Sequence, residues 1–142
     1  MDERQIRGQL NDWIVNFVGK PNKLLGNWPP CPFARKALAS NQVEVIFKSS
    51  DRDLESWITS NLYKLGTMEV LIYCIDTKEI SASILADKVD ILNQLLKKYD
   101  YVLLEDHPER TEELNGVVMN FGHCALVLAQ KLSKLNDASK EL

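Results

Sequence analysis

The chain has 142 residues, the length of one domain, and is 45% hydrophobic and 26% charged; a disordered chain and a coiled coil are both excluded as readings of the whole. Seventeen basic residues against twenty acidic ones leave a net charge of −3. No basic field exists to hold a phosphate backbone, so no nucleic-acid partner is expected.

The opening residues carry no apolar leader, and the spacing of Ile6, Leu10, Trp13, Ile14 and Phe17 predicts an amphipathic helix over residues 3–18. Residues 19–32 are a loop rich in turn formers, with prolines at 29, 30 and 32 stiffening the backbone around Cys31. A short helix follows from Pro32 or Phe33 to Ala39. Alternation predicts a strand over 42–48, and Ser50 caps a helix whose buried stripe is Leu54, Trp57, Ile58, Leu62 and Leu65. Residues 69–75 are apolar on both faces, as a doubly covered central strand requires. Asp76 or Thr77 then caps the longest helix, about residues 78–98, lined by Ile80, Ile84, Leu85, Ile91, Leu92 and Leu95.

A third strand is expected over 101–104, running into Glu105, Asp106 and His107. Residues 109–120 are irregular, with a short strand possible at 116–119. Cys124 to Ala129 fits a buried strand, but Phe121, Ala125, Leu128, Leu132 and Leu135 keep a helical period, which favours a C-terminal helix over about 121–139 capped by Asn120. The expected architecture is a single α/β domain over 1–142: three principal, mostly parallel strands with helices packed on the sheet, and a helix at each terminus. No stretch is long and apolar enough to span a membrane, and three cysteines without a CxxC pair suit a reducing, cytoplasmic setting.

Trp13, the run Cys31-Pro32-Phe33-Ala34 and a strand ending in His107-Pro108-Glu109 together resemble a bacterial family of unknown function. Its members carry a Trp-containing helix, a Leu-Cys-Pro-Phe-Ala motif, a β-α-β-α-β core and a Phe-His-Pro-Asp segment, with Asn-Arg-Ser-Pro before a final helix. Here Pro30 stands in place of the leucine, Glu109 in place of the aspartate, and Asn120-Phe121-Gly122 near the Asn-Arg-Ser-Pro. The resemblance implies a fold and a candidate site, and no reaction.

Cys31 is the sharpest chemical candidate. A helix start and the nearby Arg35 and Lys36 would stabilise its thiolate; the plain alternative is a small buried residue packing against Trp28 and Phe33. Parallel sheets gather functional groups at the carboxyl ends of their strands, and His107 stands at such an end among carboxylates that favour its imidazolium. It is either a base or a turn histidine bonded to local backbone. The expectation is that Cys31 and His107 converge in a pocket with Trp28, Arg35, Asp106 and Asn120, as nucleophile or redox centre and base of a thiol-dependent enzyme. The alternatives are a non-catalytic module that binds a protein or dimerises, and a metal site built from Cys31, His107, His123 and Cys124, whose scattered spacing fits poorly. The acidic run Asp106, Glu109, Glu112, Glu113 reads first as a solvated loop. No phosphate loop, dinucleotide fingerprint, HExxH or GxSxG pattern occurs, and neither a substrate nor a cofactor is specified.

Overall fold

The structure, a computed structural model, describes residues 1–27, 34–48 and 53–134. Helix α1 spans Glu3–Trp13, capped by Asp2, whose carboxylate accepts from the Gln5 amide at 3.2 Å, and runs into one wider turn over Ile14–Val18. It buries Ile6, Leu10 and Ile14. Helix α2 is Ala34–Ala39, and strand β1 is Val43–Phe47. Helix α3, Leu54–Asn61, starts at Asp53, whose carboxylate accepts from the Ser56 amide at 2.7 Å. The cap is therefore three residues later than expected, and Ser50 lies outside the described residues.

Strand β2, Val70–Ile75, is buried at every position, as two apolar faces demand. The long helix expected over 78–98 is interrupted at its start. Asp76 caps a single tight turn, Thr77–Glu79, Ile80 is extended, and Ser81 caps α4, Ala82–Leu96. Strand β3 is Tyr101–Asp106, two residues longer than expected. A hairpin of β4, Glu113–Leu114, and β5, Val117–Val118, replaces the single short strand at 116–119. Asn115 and Gly116, both at positive φ, form its tip.

The largest correction concerns the C-terminal part. Ala125–Lys131 is not a helix but a strand, β6, and Asn120 caps nothing helical; residues 132–134 are helical, and 135–139 of the expected helix lie outside the described residues. The sheet order is β1-β2-β6-β3, with β1 parallel to β2 and β6 antiparallel to both of its neighbours. The sheet is thus mixed and four-stranded, not three mostly parallel strands. The first three strands do run the same way, but β2 and β3 never touch, because β6 fills the slot between them. An unbroken apolar run satisfies a helix or a two-face-buried strand equally well, and the vacant slot between β2 and β3 decides.

The sheet is covered on both faces. On one side α3 and α4 pack on Leu71, Tyr73, Ile75, Leu103 and Val127; on the other α1 packs on Val70, Ile72, Cys74 and Leu126. Burying each such side chain contributes about 1.5–3 kcal/mol. Helix α4 is also fastened to the outer edge of β3. The Asn93 amide donates to the Leu103 carbonyl at 2.9 Å and accepts from its N–H at 2.8 Å, which occupies backbone groups that an edge strand would otherwise expose.

Candidate functional site

The carboxyl ends of β1, β2 and β3 lie along one side of the sheet. An open cleft of about 590 Å³ lies there, between Lys48, Ile75 and the starts of α3 and α4. Its charges are largely spent on one another. Lys48 reaches Glu79 at 3.5 Å, and Lys88 forms a short contact with Glu55. The Lys88 ammonium holds the Glu55 carboxyl below the ordinary carboxylate range, and the Ser56 amide does the same for Asp53. Its described lining carries both signs, Lys48, Lys78 and Lys88 beside Asp53, Glu55, Glu79 and Glu109.

Behind the cleft wall sits His107, 2% exposed. Its Nδ1 accepts from the Glu109 amide at 3.1 Å and its Nε2 lies 2.8 Å from the Ile80 carbonyl. With Nδ1 accepting, Nε2 is the nitrogen that donates to the Ile80 carbonyl. The ring ties the turn after β3 to the extended residue that separates the 77–79 turn from α4. Both nitrogens are occupied by backbone, the arrangement of a turn histidine.

Asp106 and Asn120 complete this knot. Asp106 accepts from Asn120 Nδ2 at 2.8 Å and from the Phe121 amide at 2.9 Å. Asn120 also accepts from the Glu112 amide at 2.7 Å and donates to the Arg110 carbonyl at 3.0 Å. Three residues expected at one site, Asp106, His107 and Asn120, are therefore brought together, each engaged with the backbone of the 107–121 loop. Trp28 and Cys31 lie outside the described residues, as does the side chain of Arg35 in α2.

The other two cysteines are buried core residues. Interaction with the neighbouring Cys124, together with burial, pushes the Cys74 thiol well above the ordinary range. His123 is exposed with its ring 5.0 Å from that of Phe121, while Cys124 is buried in the core, so the two neighbours do not form a ligand pair. No group of three or more His, Cys, Asp or Glu residues suited to a metal occurs among the described residues. Nor does any described helix have the length and apolar character to cross a membrane.

Sequence reasoning missed the outer face of α4. Of the residues expected to line its core face, Leu85 and Leu92 are buried and Ile80 packs at the core margin, but Ile84, Ile91 and Leu95 are exposed; Val89 and Leu96 complete the buried stripe. The signal was present in the sequence: two apolar stripes side by side are more than one sheet contact can cover. Comparison of the chain with protein families, curated proteins and solved structures finds no match.

Proposed function

We propose that this chain is a non-catalytic binding module that presents the outer face of α4 to a protein partner. One observation carries this reading. Ile84, Ile91 and Leu95 lie along one face of a well-capped helix, with Lys88 between the first two, each of the three at least half exposed, and exposed Tyr99 follows beyond the last turn. Scattered exposed apolar residues are ordinary on a protein surface, but a row of branched aliphatic side chains at helical spacing marks a surface that is covered in use. The groups with chemical potential among the described residues are by contrast engaged: His107 by backbone, Cys74 and Cys124 by burial.

The test is a photo-crosslinking amino acid at Leu95 and, as control, at exposed Glu112, with irradiation in the cells that make the protein. A discrete adduct from position 95 and none from position 112 is the expected result. No adduct from position 95 overturns the reading.

A second reading, a thiol-dependent enzyme using Cys31 and His107, is favoured by the convergence of Asp106, His107 and Asn120 at one strand end. It requires His107 to release a backbone partner before it takes a proton from the thiol. In that case Cys31 alkylates faster than a free thiol at neutral pH and slows in His107→Gln. Equal rates in the parent and the variant remove it.

A further inference from the structure

We infer that the partner of α4 is a second copy of this chain, paired through an antiparallel α4–α4 seam with its twofold axis near Ile91. The inference rests on the binding-module reading and names its occupant. Ile84, Ile91 and Leu95 are 50%, 59% and 59% exposed and Tyr99 61%. The three aliphatic residues cover about 16 Å of helix at 1.5 Å per residue. Together with Lys88 they follow the alternating steps of four and three residues that let two helices pack along a narrow seam. Lys88 is the one charge on that line, and its ammonium is turned to Glu55 of α3, which leaves its methylene stem on the seam.

Charge chooses both the orientation and the occupant. Asp87 is exposed in the first half of α4, Asp90 just past its midpoint, and Lys97 and Lys98 just beyond its end. None of the four forms an ion pair within the chain among the described residues. A parallel copy would set acid against acid and base against base. An antiparallel copy sets the Asp87 end against the Lys97 end, twice by symmetry, and lays Tyr99 over Ile84 of the other protomer. The surface thus carries its own complement. Asn93 fastens α4 to β3, so the stripe is presented on a helix already held in place. A seam one helix long falls at the low end of specific interfaces, below about 1,200 Å² in total, so the dimer is a weak and reversible one.

Sedimentation of the full chain from low to high micromolar concentration tests this. The mass is expected to rise toward twice that of the monomer, with Ile91→Glu weakening association at least about tenfold. Asp87→Lys and Lys98→Asp should each weaken it, and the two substitutions combined in one chain should restore it, because the reversed pair is again complementary. All these positions are exposed, and a cooperative urea transition in each variant confirms folding. A chain that is monomeric throughout, a dimer indifferent to Ile91→Glu, or charge swaps that do not rescue one another would each overturn the self-association. An adduct at Leu95 with a protein of different mass, alongside a monomeric chain, overturns the second copy as partner and leaves the binding module standing.

Discussion

The two long faces of α4 have nearly the same composition and opposite surroundings. Leu85, Val89, Leu92 and Leu96 are at most 8% exposed against the sheet, while Ile84, Ile91 and Leu95, beside them, are at least 50% exposed. Nothing in residue type separates the two sets. The sheet can contact only one arc of a helix, and Asn93 fixes which arc by binding the edge of β3. An apolar arc wider than its contact leaves a remainder, and that remainder is the surface assigned here to a partner.

Charge tests the contrast most severely. Leu92→Asp is expected to prevent folding, since an unpaired buried carboxylate costs several kcal/mol. Leu95→Asp should leave the isolated protomer within about 0.5 kcal/mol of the parent, as surface substitutions do. Urea unfolding at a concentration where the chain is monomeric measures both, and equal losses would erase the distinction between the faces. Truncation tests it more finely. Leu85→Ala should cost about 2–5 kcal/mol by the same measurement, and Ile84→Ala far less.

The entry to α4 depends on His107. His107→Ala leaves the Ile80 carbonyl and the Glu109 amide without their partner and should cost about 1–3 kcal/mol. Faster amide exchange at Glu109 would locate the loss, and unchanged exchange there would show that the ring does not hold the turn. The smallest effect is at α3, the helix beside α4. The Ser56 amide holds the Asp53 carboxyl below its ordinary 3.8. A group depressed on folding stabilises the fold fully above its unfolded pKa and loses that contribution as pH falls through the folded value. Asp53→Ala should therefore shorten the acid limb of the stability curve below about pH 4 and leave its neutral shape unchanged. An acid limb identical to that of the parent would show that the cap does not couple to folding.

Some of this was legible in order along the chain. Ile6, Leu10 and Ile14 recur at a helical period and bury together, and Val70 to Ile75, apolar on both faces, is a wholly buried strand. The strand-end position of His107, next to Asp106, was readable from element order alone, whereas the approach of Asn120 was not. The hairpin at Glu113–Val118 was also within reach, since Asn115-Gly116 is the dipeptide that a two-residue turn with positive φ selects.

By itself, then, the sequence determined which segments are apolar, with what period, and where turns interrupt them, because these are properties of local backbone preference and of side chains in order. The tertiary structure alone decided three further things. Ala125–Lys131 is a strand because β2 and β3 leave a slot whose backbone groups need partners on both sides. His107 is sealed because the extended Ile80, 27 residues earlier in the chain, brings a carbonyl to its ring. And Ile84, Ile91 and Leu95 face outward because the sheet, reached through contacts distant in sequence, claims the neighbouring stripe first.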